Sequence, residues 1–455
     1  MDTMNSNKKS FLFICYDFFP RVTPTTIRIS KILKFLPTDL QINVLSQTEN
    51  ASTEANTILH FVRGWYPKFL IDCLLKLRLG KFLEWIIPFG NDKSFFWIGS
   101  AILKGLKLIK NSQPSAVVVF MMPYPIGIVG VILKWIMGLP LVLNFDDSPT
   151  CTDMGGNSFP SWFHYRLTEW LEDFYVRQAD AVIYVSQRNL ERVRDRQPEK
   201  HQDKFHLVRY GADPIDFKKD QLHTPSKEGF TITYIGGMTG WFEFYDLPNQ
   251  TNLFKKIYQA WLDWGRYEVL KLDIRSSSPM FVGQAIKLMY EERPDLIGKI
   301  KLSIYGNFFP DYVINRGLEN QKLRDIIFVH PSVSNQRAIQ IACQSDLLFM
   351  TLPARPSDAV PGGRISAKTY EYLMTSRPIL ATLSKGENWD YLEGKPGVWL
   401  VEPTNVLGIK KVLQELVDKK NSGDSLTFDR TALHPELSYE SRAQEFNMIL
   451  TKVLR

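Results

Sequence analysis

Cysteine is scarce in this 455-residue chain, with four in all, Cys15, Cys73, Cys151 and Cys343, far apart from one another. That scatter excludes a disulfide framework and the paired spacing of a thiolate zinc site, and it suits reduced thiols in a cytosol. Histidine is scarce too: of seven, only His201 and His206 fall close together, in HQDKFH, with no acidic or cysteine ligand set beside them. No protein-bound metal and no bound cofactor are expected. The start, MDTMNSNKKS running into FLFICY, has the wrong order for a cleaved signal, so a cytoplasmic placement is expected. An unbroken membrane-length apolar run is also missing. Ala116 to Leu143 carries only Lys134 as a charge, but Pro123 and Pro125 divide it into a strand, a turn and a helix ending near Gly138, and the strand LVLNF follows. This is the βαβ unit of a buried parallel sheet rather than a span. Low-complexity tracts and short repeats are absent as well.

What is present is globular: 44% apolar and 23% charged residues, over a length that outgrows one hydrophobic core. The net charge of +7 favours anionic partners, among them nucleotides, phosphorylated acceptors and a membrane surface. Nucleic acid is not expected, since neither a recognition helix nor a basic stripe is evident. Residues 1–218 repeat one phrase, a short β-rich run, a loop and an amphipathic helix, which predicts a parallel doubly wound sheet. The polar stretch Asp216 to Gly229 breaks the phrase, and FTITYIGG opens a second series through IKLSIYG, IIFVH, DLLFMTL, PILAT and VWLVE. The expected fold class is α/β, two Rossmann-like domains whose parallel sheets face each other across a cleft. The expected domains are 1–218 and 219–435, with a helix over 436–455 that can cross back to the first. An aromatic block near 239–273 reads as an insertion. In it Leu253, Phe254, Ile257, Tyr258, Trp261 and Leu262 recur at helical spacing, which favours a packed helix ending at Gly265 over a sugar-stacking platform.

Ligands of open parallel sheets bind beyond the carboxyl ends of the strands, where helix N-termini face phosphate. The richest such loop is PGGRISAKTYEYL, Pro361 to Leu373. Gly362 and Gly363 allow close backbone approach, Ser366 is placed to cap, and Lys368 and Glu371 share one helix face. A diphosphate can rest beside Lys368, and the Glu371 carboxylate offers lone pairs to two ribose hydroxyls. The alternative is a capped surface helix with an i,i+3 ion pair. Arg275 precedes Ser276-Ser277-Ser278-Pro279, a cap and proline signature that sets a guanidinium beside another helix start. A plain surface arginine is the competing reading. Asp146 and Asp147 end a buried strand, and because adjacent strand residues point to opposite faces only one of them can face substrate. Ser186, at another strand end, is a further cleft-lining candidate.

The run from Lys368 through Glu371-Tyr372-Leu373 to Pro378 and PILAT resembles the donor-binding segment of B-fold glycosyltransferases of the family 4-like group. Other pieces fall in the same order. They are Tyr16-Asp17-Phe18-Phe19-Pro20, Arg28, Lys34-Phe35-Leu36-Pro37 and Val44-Leu45-Ser46, then Leu143 to Asp147, Ala179 to Ser186 and Gly211-Ala212-Asp213. The resemblance spans most of the chain except Thr239 to Asp273. It implies a retaining, metal-independent transferase that binds a nucleotide-sugar co-substrate in the C-terminal domain and the acceptor mainly in the N-terminal one. Lys368, Arg275 and Asp146 would be catalytic, with Gly362, Gly363, Ser366 and Glu371 also on the donor and Arg28, Asp147 and Ser186 on the acceptor side. Two departures stand out. The group often carries two glutamates eight residues apart; the second matches Glu371 and the first falls on Gly363, so donor-sugar contact would pass to backbone N–H groups. The glycine of the first loop is replaced in PRVTPTT, leaving Arg21 and Thr25 as equal candidates for its role.

The acceptor, whether saccharide, lipid-linked or small molecule, is not named by these residues. Trp65 to Gly99 mixes aromatic with basic side chains, which suits a peripheral seat on an anionic membrane and also suits helices that cover a sheet. The same fold serves nucleotide-sugar epimerases, and the missing glutamate leaves room for a non-catalytic nucleotide-sugar-binding partner subunit.

Overall fold

The structure, a computed structural model, describes residues 9–49, 56–77, 79–86, 93–150, 158–218, 229–238, 240–241, 253–306 and 309–455. Most of the expected linker, 219–228, and the first part of the insertion, with Phe242, Phe244 and Tyr245, lie outside the described residues, as does Cys151.

The first half supplies eight strands: β1 (Ser10–Ile14), β2 (Gln41–Ser46), β3 (Thr57–Phe61), β4 (Ala116–Phe120), β5 (Leu141–Phe145), β6 (Ser158–Phe159), β7 (Ala181–Tyr184) and β8 (Phe205–Leu207). All but β6 form one parallel sheet in the order β3-β2-β1-β4-β5-β7-β8. Every residue of β1, β4 and β5 is buried, which is why these segments are apolar on both faces apart from Ser10 and Asn144. The second half supplies β9 (Phe230–Ile235), β10 (Tyr267–Glu268), β11 (Ile300–Tyr305), β12 (Ile327–His330), β13 (Leu347–Thr351), β14 (Ile379–Thr382) and β15 (Val398–Val401). All but β10 form a second parallel sheet, β12-β11-β9-β13-β14-β15. In each sheet the strand order reverses beside the first strand, between β1 and β4 and between β9 and β13, and crevices at such points take ligands. β9 and β13 pair only through Leu347 and Leu348, at the entry to β13, so no ladder bonds join their carboxyl ends.

The proline-broken run folds as β4, a short 3₁₀ turn (Tyr124–Ile126), a helix (Gly127–Met137) and β5, with Gly138 closing the helix at φ 69°. Among the described residues no helix is long and apolar enough to cross a membrane. The chain's final helix, Tyr439–Val453, returns to the first sheet. Its Phe446, Ile449 and Leu450 join Phe11, Phe13 and Phe120 in one buried cluster, and Phe446 stacks on Phe120 at 6.1 Å.

The insertion leaves its own domain. β10 pairs antiparallel with β6 of the first half, and Arg266 reaches Ser158 Oγ at 3.2 Å and Glu84 Oε2 at 3.1 Å. The buried Lys81 ammonium donates to the carbonyls of Trp261 and Trp264, at the end of helix Leu253–Asp263, where unpaired C=O groups and the negative dipole end welcome a cation. Ring contacts Phe82–Trp261 (5.9 Å) and Tyr165–Tyr267 (5.1 Å) complete the bridge. The expected packed helix is therefore corrected: Leu253, Phe254 and Ile257 are 69%, 74% and 58% exposed, because only the helix's last turn meets the other domain.

Phe446→Ala should cost about 3–5 kcal/mol in the N-terminal domain, read as an earlier urea midpoint, since it empties a fully buried aromatic site. Lys81→Met should speed amide hydrogen exchange over 253–268 while leaving β9 and β11 at their wild-type rates; equal rates in the insertion would mean the lysine does not hold the bridge.

Candidate functional site

At the carboxyl end of β9 the chain turns through Gly236, whose φ of +120° suits glycine, and Gly306 after β11 lies directly against it. Lys368, on helix Ala367–Leu373, extends over this turn. Its Nζ sits 4.9 Å from the Tyr234 ring centroid, and a Cβ on Gly236 would come 2.8 Å from its Cε. Bare backbone at Gly236 thus lets an ammonium lie across the crevice between β9 and β13. One turn on, burial pushes the Glu371 carboxyl above the usual glutamate range, with Lys368 pulling it down and Asp216 adding to the rise. Tyr439, at the start of the crossing helix, is close enough that the Glu371 charge, after burial, helps raise its phenol. Tyr372 on the same helix accepts a hydrogen bond from Ile235 N–H at 3.2 Å, tying the helix to the end of β9. Ser366 holds the N-cap position, but its hydroxyl makes no cap bond.

Gly362 and Gly363 are both buried. Gly362 forms a bridge with Gly386, and its carbonyl accepts from Glu387 N–H at 2.8 Å. Gly363 faces the N-terminal domain: a Cβ there would lie 2.5 Å from Asn189 Oδ1 and 2.8 Å from Ser186 Oγ. Arg275 is exposed on a 3₁₀ turn (Ile274–Ser276). Its turn is fastened to the loop after β13, where Ala354 N–H donates to Ser276 Oγ at 2.5 Å and Asp273 N–H to Ala354 O at 2.9 Å. Pro279 takes the N-cap rather than the first helical position of helix Met280–Glu292, and Ser278 Oγ accepts from Met280 N–H.

The N-terminal candidates divide. Arg28 has no solvent exposure; it donates to Asn144 Oδ1 (3.1 Å), Asp146 Oδ1 (3.2 Å) and the Val208 carbonyl (2.9 Å). Asp146 Oδ2 accepts from the Tyr210 hydroxyl at 2.9 Å. Through these bonds the two side chains tie helix Pro24–Phe35 to the ends of β5 and β8 and brace the cleft, while Arg28 Nε is buried without a partner. Asp147 is half-buried, its carbonyl accepting from Tyr124 Oη at 3.2 Å. Ser186 caps helix Gln187–Asp195 by accepting from Asn189 N–H at 3.1 Å, and it donates to Glu387 Oε2 at 2.6 Å.

Glu387 is the residue that sequence reasoning missed. Its carboxylate, buried, also accepts from Gln187 N–H (2.8 Å), Arg188 N–H (2.9 Å) and Arg209 Nη1 (2.5 Å), all from the opposite domain. In sequence it is an acid in the first turn of helix Glu387–Leu392, a pattern that complements its own dipole and points to no distant partner. Among the described residues no group of three or more His, Cys, Asp or Glu side chains could hold a metal ion.

Residues 87–211 match the glycosyl transferase 4-like domain. No curated protein matches the sequence. Solved structures match over nearly the whole chain. A glycosyltransferase from Rickettsia africae is 12% identical, covering 99% of each chain at a TM-score of 0.59. The HepE protein of Anabaena, solved with UDP and glucose, is 11% identical, covering 97% of this chain and 99% of its own at 0.60. Sucrose-phosphate synthase from Thermosynechococcus elongatus is 9% identical, covering 98% and 99% at 0.62. Residues 87–211 are thus a glycosyl transferase 4-like domain, that of a transferase enzyme, on a chain with the two-domain parallel-sheet fold of the B-fold glycosyltransferases.

Proposed function

We propose that this protein moves a sugar from a nucleotide-sugar donor held by the C-terminal domain, 219–435, to an acceptor that enters from the N-terminal domain, 1–218, with retention at the anomeric carbon and without a metal. The observation that carries the reading is the Lys368 side chain laid over Gly236 at the strand-order reversal, with Glu371 one helical turn deeper. A leaving nucleoside diphosphate gathers negative charge as the glycosidic bond breaks, and a fixed ammonium stabilises that charge more than it stabilises the intact donor. Glu371 would accept from the ribose hydroxyls, and Arg275 would add positive field from the loop beside β13. The UDP in the related Anabaena structure supports a nucleotide in this fold and leaves this chain's base open. An epimerase would interconvert the donor alone, and a non-catalytic binder would be protected from melting without turnover. Release of nucleoside diphosphate only on addition of an acceptor is the transferase outcome.

The acceptor side carries a second proposal, a peripheral seat on an anionic membrane. Trp65, Phe69, Leu77, Phe82 and Trp85 are exposed on and around helices Lys68–Lys76 and Gly80–Ile86, with Lys68 and Lys76 exposed among them. The bridge through Phe82 and Trp261 brings exposed Phe254, Ile257 and Trp264 to the same side. Aromatic anchors interleaved with lysines suit the headgroup region of anionic lipid.

Glu371→Ala should weaken binding of the preferred nucleotide about 10- to 100-fold by calorimetry, the value of hydrogen bonds to a charged group. The pH sign follows from the raised carboxyl. Ionising Glu371 costs folded-state stability, an increment lost as pH rises from the unfolded glutamate range through its raised value. The ribose contact needs that same ionised form. Wild-type nucleotide affinity should therefore fall as pH drops through the raised value, whereas Glu371→Gln should bind weakly with no such dependence and melt no lower than wild type at pH 7. The protein should sediment with anionic liposomes at low salt and leave them as salt is raised; retention in the supernatant at low salt would remove the membrane proposal.

A further inference from the structure

Tyr234, the last residue but one of β9, meets both Lys368 and the glycine turn over which that lysine lies. Its side chain is buried in the core of the second domain, with its ring 5.9 Å from that of Phe349 on β13, and its backbone is paired in the ladder opposite Ile304 of β11. The far end of the ring is tied down as well, because the hydroxyl donates to the Gly237 carbonyl at 3.0 Å. The ring is therefore a fixed surface, and the Lys368 ammonium rests 4.9 Å from its centroid. Among the described residues no carboxylate is bonded to that ammonium; Glu371, one turn on, feels its charge without pairing with it. Burial at this place on β9 asks only for an apolar side chain. A flat ring whose face carries a cation is more than burial requires.

We propose that Tyr234 is the positioning residue of the donor site, its ring face holding the Lys368 ammonium across the crevice between β9 and β13 for the outer phosphate of a nucleoside diphosphate. This inference rests on the donor-site reading above and adds to it a residue that acts through Lys368. An ammonium on a flexible four-carbon stem loses rotamer freedom when it meets a ligand, and a stem already settled before the ligand arrives loses less. A carboxylate partner would settle it too, but would compete with the phosphate for the same N–H donors. A ring face holds the cation by its quadrupole and leaves those donors to the ligand. The effect falls on the phosphate nearest the ammonium and not on base or ribose, so it separates a nucleoside diphosphate from its monophosphate.

Calorimetry with UDP, GDP, dTDP and ADP finds the nucleotide that binds, and the ratio of its affinity to that of its monophosphate reads the outer phosphate alone. The ratio is compared in wild type, Lys368→Met, Tyr234→Leu, Tyr234→Phe and the Lys368→Met/Tyr234→Leu double variant, with melting temperatures to report folding. Lys368→Met should lower the ratio about tenfold or more and Tyr234→Leu about three- to tenfold, with monophosphate affinity within about twofold of wild type. The double variant should match Lys368→Met, since without the ammonium the ring has nothing to hold. Tyr234→Phe keeps the ring face and should stay within about twofold of wild type. An unchanged ratio in Tyr234→Leu overturns the inference, as does an equal loss for both nucleotides, a further fall in the double variant, or a phenylalanine variant no better than the leucine one. Should Tyr234→Leu be unfolded at the assay temperature, the more adaptable Tyr234→Met takes its place under the same expectations. Failure of all four nucleotides to bind, or a wild-type ratio in Lys368→Met, overturns the donor reading and this inference with it, whereas a loss in Lys368→Met with none in Tyr234→Leu removes the role of Tyr234 alone.

Discussion

The Glu387 carboxylate belongs to one domain and sits on the first turn of a helix in the other, and the geometry of the cleft is fixed relative to that contact. Two of its four hydrogen bonds come from the backbone N–H groups of Gln187 and Arg188, which a helix start leaves without internal partners. The Ser186 hydroxyl and the Arg209 guanidinium supply the others. A carboxylate so enclosed is stable only while its donors are in place, and stranding it would cost about 3–5 kcal/mol. The same residue's N–H holds the Gly362 carbonyl, so the hold on the N-terminal domain passes directly into the loop that leads to Lys368. Separation of the domains therefore disturbs that loop as well as the interface.

Two further connections constrain the halves. The last helix crosses to the first sheet and fills its core with Phe446, while its first residue, Tyr439, lies near Glu371. The insertion reaches over from the second domain and is caught by Lys81, Arg266 and the β6–β10 pair. Its contacts mix the buried Lys81, the part-exposed Arg266–Glu84 pair and two ring contacts, and they sit at the end of a helix whose earlier turns leave apolar side chains exposed. The Arg266–Glu84 pair in this bridge is part-exposed and contributes only about 0.2–1 kcal/mol, less than the burial of Phe446. The insertion is thus the connection most easily released, and it is also the one that joins an exposed aromatic surface to the cleft.

Most of the fold was legible because its signals are local. Pro123 and Pro125 divide an apolar run within a few residues of where they stand, and the buried strands announce themselves by composition alone. Lys368 and Glu371 were legible for the same reason: three residues apart on a short helix after a glycine pair, they share a face whatever the rest of the chain does. Arg28 was expected on the acceptor side from the resemblance alone, and Asp146 from its place at a strand end. That they bond to each other, 118 residues apart, was not legible, because no spacing rule reaches that far. Glu387 failed for the same cause, since its partners begin 201 residues away and its own helix offers a sufficient local reason for an acid there. The helical spacing over Leu253 to Leu262 was right about the helix and wrong about its burial, because periodicity reports which side chains share a face and not what lies opposite.

Gly363 joins these strands of the argument. As a gap in a motif it weakens the case for donor contact, but in the structure it is a packing requirement. Asn189 and Ser186 come so close that even a methyl group would displace one of them, and Ser186 cannot move without loosening its bond to Glu387. A side chain at 363 would require the Asn189 amide to turn aside and Ser186 to give ground, so the present packing favours glycine there. The glycine and the inter-domain carboxylate are thus two halves of one arrangement, in which Glu387 and the bare backbone at 363 let the two domains pack closely beside the loop that leads to Lys368.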